Sequence, residues 1–342
     1  MKRILCLLLA VLLLTGCAPQ TPRQSRYETS FLDVFDTVTS IVGFAESEEA
    51  FLQTAQTIHD ELLVYHRLYD IYHEYPDLTN LKTLNEQAGG PPVQVDRKIL
   101  DLLQFCKDME QATGGAVNAA MGSVLSLWHD HRTVGKDDPA IASLPPLERL
   151  QAAAEHTDLS SLLIDEEACT VTLTDPEMTL DVGAIAKGYA TERIAQSLEE
   201  KGVTGYVLNV GGNVRTIGLK PDGTAWTVGI ENPDGGDYLA YLQLSGQSLV
   251  TSGSYQRFYY VDGKAYHHII HPDTLMPAEG YVSVSVICSD SGLADALSTA
   301  LFCLPLDEGQ SLVNGIDGAE AMWLSQDGSI TTSPGWENFL KK

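Results

Sequence analysis

"DVGAIAKGYATERIAQSLEEKG", Asp181 to Gly202, decides how the second half of the chain is read. Ile185, Tyr189, Ala190, Ile194 and Leu198 recur on one helical face, so the stretch is a helix that packs on a sheet. Ala184 and Ala186 keep its first turn slim, and Asp181 stands just before it. Gly183 and Gly188 bracket Lys187. That nearly spells the phosphate loop G-x-x-x-x-G-K-[ST], but here the lysine precedes the second glycine and Tyr189 follows it. Free N–H groups in a first helical turn favour an anion. On this stretch alone two readings stand. Lys187 and the turn hold a phosphate, or Lys187 is solvated and the glycines only shape the turn.

Strand patterns surround the helix. "CTVTL" and "MTLDV" flank "TDPE" as a hairpin. Downstream come "YVLNVGGNVRTIG", "WTVGIENP", "YLAYLQL", "QSLVTSG", "RFYYVDGKAYHHII", "YVSVSVIC" and "EAMWLS", with "ADALSTALFCL" a helix among them. Asp-Gly in "YYVDGKAYHH" marks a tight hairpin, which argues for antiparallel sheets. Upstream, "EEAFLQTAQTIHDELLVYHRLYDIY" is a long amphipathic helix. "DRKILDLLQFCKDMEQATGGA" is another, with Asp96 as N-cap and glycines closing it. "NAAMGSVLSLWHDHR" is a third, its "HDHR" (His129 to Arg132) a polar helix end, and a proline break precedes a short helix in "DPAIASLPPLERLQAAAEHTD". The fold class is α+β (mixed α/β), helical early and strand-rich late.

The N-terminus carries other signals. Lys2 and Arg3 precede an apolar run, Ile4 to Leu14, too short to span a bilayer comfortably. This is a secretory signal. It ends in "LTGC", which resembles a bacterial lipobox and implies cleavage after residue 16 and lipidation of Cys17. "APQTPRQSRYETS" then reads as a polar tether through residue 30, with one large domain over 31–340. Cleavage leaves 19 basic and 46 acidic residues, net −27, which repels nucleic acid and leaves any anionic ligand to local devices. Cys106, Cys169, Cys288 and Cys303 show no C-x-x-C spacing, so they are free thiols or one distant disulfide rather than a zinc site.

Three further places can carry chemistry. Gly211-Gly212 after an apolar strand permits a close backbone approach or a bulge. Asp295 and Thr299 lie four apart on one helix face, which makes a hard-oxygen half-site for Mg²⁺ or a surface Asp with a Thr bonded back to its own helix. His267 and His268 point to opposite faces of a strand and cannot grip one ion together; a single histidine serves as acid, base or ligand contact.

Taken in order, these segments resemble one family. "FDTVTSI", Leu84-Asn85, "GGAVNAAMG", "DVGAIAKGYA", "LNVGGNVRTIGL", "WTVGIENP", "VTSGSYQRFYYVDGKAYHHIIHPDTLMP" and "ADALSTALF" look like the FAD:protein FMN transferases. The resemblance covers essentially the whole chain after the tether. It implies a single flavin-transferase domain with T-fold-like halves, each a helix on an antiparallel sheet. It implies Mg²⁺-dependent transfer of FMN from FAD to a threonine hydroxyl, with AMP released. The acceptors it implies are exported FMN-binding domains, such as those of Rnf-type and Na⁺-pumping NADH:quinone oxidoreductase complexes. Carried over by position, Ala184, Asp295 and Thr299 hold the metal, and His268 is the base toward threonine. Phe35, Tyr72, Ala116, Val117, Asn118, Asp181, Lys187 and Ile270 line the FAD site. Where the family reads H-I-I-D-P this chain has His271 in the aspartate's place. Water as acceptor would make the protein an FAD pyrophosphatase, and binding without turnover a flavin-storing lipoprotein; the metal half-site speaks against the latter.

Overall fold

In the computed structural model, which describes residues 24–342, the deciding helix spans Ala186–Glu200 and lies against an antiparallel sheet. Chain order begins with β1 (Ser25–Val34), β2 (Thr37–Ala45), α1 (Glu48–Tyr69), α2 (Leu81–Glu86), β3 (Val93–Gln94), α3 (Arg97–Ala112), α4 (Gly122–Asp137) and α5 (Leu147–Ala154). It continues with β4 (Leu162–Asp165), β5 (Thr170–Leu173), α6 (Ala186–Glu200), β6 (Tyr206–Val210), β7 (Asn213–Ile217), β8 (Trp226–Ile230), β9 (Ala240–Leu244) and β10 (Ser248–Gly253). Last come β11 (Phe258–Val261), β12 (Lys264–His267), β13 (Tyr281–Cys288), α7 (Ser291–Cys303), α8 (Leu306–Asn314), β14 (Glu320–Ser325) and β15 (Ile330–Thr332).

Eight strands form one sheet in the order β1-β2-β6-β7-β10-β13-β14-β15, and its neighbours are antiparallel throughout. The class is α+β. Strand alternation sends Ile41, Leu208 and Val210 into a core with Ile58, Leu62 and Ile194 from α1 and α6. Val284 and Val286 of β13 meet Leu297 and Leu301 of α7 in a second core. Burying each such side chain is worth roughly 1.5–3 kcal/mol. The two helix-on-sheet halves therefore share one continuous sheet, and α6 and α7 meet where the halves join.

On the opposite face, the β8–β9 hairpin packs Leu242 and Leu244 on Leu249, Ile287 and Met322. Beyond its cover a groove of about 1050 Å³ opens beside Phe44, Asn209, Trp226 and Tyr255. Tight turns follow the sequence: Gly211 and Gly212 (φ 57° and 94°) close β6–β7, and Asp262 and Gly263 (φ 49° and 80°) close β11–β12. The Asp96 side chain caps α3 by accepting from Lys98 N at 2.8 Å.

Three expectations change. Residues 25–30 are strand rather than tether: β1 pairs with β2 from Ser25 onward. Tyr27 stacks on Phe51 with centroids 5.6 Å apart, which gives that strand an apolar anchor. The hairpin of "CTVTL" is not with "MTLDV" across "TDPE"; β5 pairs with β4 and β3. Leu180 instead exchanges backbone bonds with the Asn85 side chain (2.8 and 3.0 Å), and Asp181 N donates to Ala119 O. The third helix begins at Gly122, not Asn118, and runs past "HDHR" to Asp137. Cys106, Cys169, Cys288 and Cys303 are all free. The signal segment and Cys17 lie outside the described residues.

Candidate active site

The start of α6 supplies the first part of the site. Its N-cap, Ile185, offers no side-chain bond, so the first-turn donors look elsewhere. Gly188 N donates to Asp295 Oδ2 at 2.8 Å, across 107 residues of chain. Lys187 Nζ stands 3.6 Å from the same oxygen and 3.3 Å from Gly183 O. Lys187 is thus not a solvated surface lysine, and the helix start spends one donor on a carboxylate of its own chain. Asp295 is 4% exposed, and burial pushes its carboxyl above the usual carboxylate range against the pull of Lys187 and Gly188 N.

Hydroxyls gather beside this carboxylate. Ser252 Oγ lies 2.8 Å from Ser298 Oγ and 3.3 Å from Thr299 Oγ1. Asn213 borders Asp295, and its Oδ1 is buried with no partner. Ala184 sits in the turn entering α6. A carboxylate, a hydroxyl, an amide oxygen and a backbone carbonyl are hard donors, which suit Mg²⁺. Among the described residues, no group of three or more His, Cys, Asp or Glu could hold a metal ion.

Asp181 forms a second wall. Its Oδ1 accepts from Gly183 N at 2.8 Å. Burial raises its carboxyl, opposed by that N–H and by His129, Arg132 and Lys187. Ala116, Val117 and Asn118 arrive from the end of α3, where Thr113 O and Oγ1 hold Ala116 N and Val117 N. Asn118 commits its side chain to the backbone, donating to Thr157 O and accepting from Ala120 N. Its side-chain amide serves the loop, and the backbone is what it can offer a ligand. Phe35 occupies the β1–β2 turn (φ 53°) and meets His66 edge-on.

The rim carries His129 and Arg132, which the sequence reading left as a polar helix end. Tyr72 is half exposed and packs on His129, with ring centroids 5.1 Å apart. Arg132 follows one turn later, its Nη2 3.3 Å from His129 Nδ1. Burial and the nearby Asp181 push the Tyr72 phenol up to about 12. The adjacent histidines diverge as expected: His267 Nε2 faces Ala278 O at 2.9 Å, and His268 Nδ1 faces Arg257 O at 3.2 Å. Burial, Arg257 and Arg132 push His268 down to about 3, so its ring is neutral near pH 7. Ile270 is buried with Trp128 and Tyr259, so its side chain belongs to a core. Sequence reasoning missed His129, Arg132, Asn213 and Ser252 as site residues; Arg257 and Ser252 carried a signal within "TSGSYQR".

Comparison with known proteins places the chain in a family. The sequence pattern of the ApbE family matches residues 35–323. The chain belongs to the ApbE family. A Klebsiella pneumoniae member named FAD:protein FMN transferase is 32% identical over 289 residues, covering 80% of this chain and 86% of the relative. A Treponema pallidum member of the same name is 35% identical over 275 residues, covering 76% and 74%. The crystal structure of an ApbE protein from Thermotoga maritima superposes with a TM-score of 0.82 at 29% identity, over 93% of this chain and all of that one. Within the ApbE family match lie all of the residues described above, from Phe35 to Thr299.

Proposed function

We propose that this protein is an FAD:protein FMN transferase that uses Mg²⁺ and an exported acceptor, moving FMN to a threonine hydroxyl and releasing AMP. One observation carries the reading: Asp295 is held by Gly188 N and Lys187 beside Thr299, in a chain whose family relatives bear that enzyme name.

The step balances simply. The threonine oxygen bonds to the FMN phosphorus, the bond from that phosphorus to the AMP oxygen breaks, and AMP leaves with the electron pair. The threonine proton goes to a base. His268 is the base the resemblance implies: Nδ1 faces Arg257 O, and the negative charge of bound pyrophosphate would raise the ring from about 3 toward the working range. Lys187, 3.6 Å from Asp295 Oδ2, would offset developing phosphate charge. Tyr72, backed by His129, presents an aromatic face for stacking a flavin or adenine ring. Ala184, Asp295 and Thr299 would hold Mg²⁺, which when bound offsets pyrophosphate charge. Cys17, lipidated, would anchor the protein outside the cytoplasm.

The test mixes the chain from residue 24 with FAD, Mg²⁺ and an exported FMN-binding domain. The expected result is a fluorescent flavin band on the acceptor that survives denaturation, absent when its threonine is valine. AMP and FMN formed without a band would make the protein an FAD pyrophosphatase instead. Neither product would leave a flavin-binding protein.

A further inference from the structure

We infer that Glu192 is a positioning residue for flavin transfer, fixing the seam between α6 and α7 on which Lys187, Gly188 and Asp295 meet. The inference rests on the reading that this seam is the reacting centre.

Glu192 lies one helical turn beyond Gly188 on α6 and is 2% exposed. Its Oε2 accepts from Ser291 N at 2.8 Å and from Arg215 Nε at 2.9 Å. Its Oε1 accepts from Arg215 Nη2 at 3.3 Å. Ser291 is the first residue of α7, and its N–H is one of the helix-start donors that lack an intrahelical partner. Arg215 lies on β7. A single carboxylate therefore ties α6, α7 and the sheet together.

The seam beside it has no slack. A Cβ on Gly188 would land on Ser291 O and on Asp295 Cβ. A Cβ on Gly292 would come to 3.1 Å from Tyr189 Cα, a tight but less severe approach. With the helices touching backbone to backbone, their relative rotation sets the direction of the Asp295 carboxylate and its distance from Lys187. Stability alone is a weak reason for an ion pair here, since buried pairs are often no better than apolar packing. The bond to Ser291 N supplies the stronger reason, because it fixes α7 relative to α6. Phosphoryl transfer depends on in-line placement, and a 1 Å error can cost about a hundredfold in rate. Ligand binding, spread over Phe35, Tyr72, the Ala116–Asn118 segment and Asp181, depends much less on that one distance.

The test uses Glu192→Gln, which removes the negative charge facing Arg215 and sets an NH2 against one of the donors now held, so that the tie to Ser291 N slackens, and Arg215→Lys, which keeps the positive charge and loses the fork. Each is assayed for thermal unfolding, FAD affinity by flavin fluorescence, and transfer to an FMN-binding acceptor. The expected result is a kcat at least about tenfold lower for Glu192→Gln in folded protein, with FAD affinity within about threefold. Arg215→Lys is expected to show a smaller loss of the same kind. If melting temperature falls while kcat per folded molecule is unchanged, Glu192 serves the fold alone and the inference is overturned. A parallel loss of affinity and kcat overturns it too. If Glu192→Gln does not fold, Arg215→Lys carries the same comparison, with kcat unchanged as the overturning result. Asp295→Ala is the separate control. Turnover retained there removes the seam as reacting centre, whatever the Glu192 variants do.

Discussion

His268 enters the folded site without the proton that a free imidazole takes up in mild acid. Its ordinary value is about 6.5, and the fold holds it at about 3. Between those values the unfolded chain binds a proton that the folded chain does not. This contribution is therefore neutral above about pH 6.5 and destabilises progressively as pH falls toward 3. In His268→Asn the loss of stability between pH 7 and pH 5, read by denaturant unfolding, is expected to shrink; an unchanged difference would show that His268 titrates normally. His271 acts differently. Its Nδ1 accepts from Asp273 N at 3.1 Å, so the imidazole does for this turn what a short carboxylate does by accepting an N–H two residues on. His271→Asp is accordingly expected to keep FAD affinity and transfer rate within about threefold. Loss of FAD binding in that variant would show that the position is not interchangeable.

At the scale of elements, the crossing of α6 and α7 is the part least tolerant of change. Gly188→Ala forces a methyl group onto a backbone carbonyl, and overpacking of this kind typically costs about 1–3 kcal/mol. The expected outcome is a lower melting temperature together with loss of transfer, and an unaltered melt would refute the close packing. Much of this architecture was legible beforehand. Apolar periodicity gave α1, α3 and α6, Asp96 announced its cap, and Asp262-Gly263 announced a hairpin. "MTLDV" misled because alternation says that a segment is extended but not what it bonds to. Its partners, Asn85 and Ala119, come from distant chain. His129 and Arg132 were hidden for a related reason. Polar residues three apart on a helix look solvated until Tyr72 is seen to close over them. The Gly188–Asp295 bond spans 107 residues, and no local pattern encodes it.

For the whole molecule, an acidic chain of net charge −25 gathers Lys187, Arg132 and Arg257 about one neutral histidine. An anionic ligand would thus be drawn to this cluster in a chain whose net charge repels it. Membrane attachment is expected to be separable from catalysis. Cys17→Ser should move the full chain from the membrane fraction to the soluble fraction. Residues 24–342 should retain full turnover on a soluble acceptor; retention of the variant in membranes would exclude the lipid anchor. The early start of β1 adds a geometric condition. Eight Cα-to-Cα steps lead from Cys17 to Ser25, the first paired residue of the sheet. Fully extended, they reach no more than about 3.3–3.6 Å each, less than about 30 Å in all. A chain of this size has a radius of gyration near 20 Å and is roughly 50 Å across, so such a leash would be shorter than the body it held. With Cys17 lipidated as proposed, an enzyme moored that closely would screen its acceptors by altitude, reaching side chains carried at one height above the bilayer and leaving others out of reach.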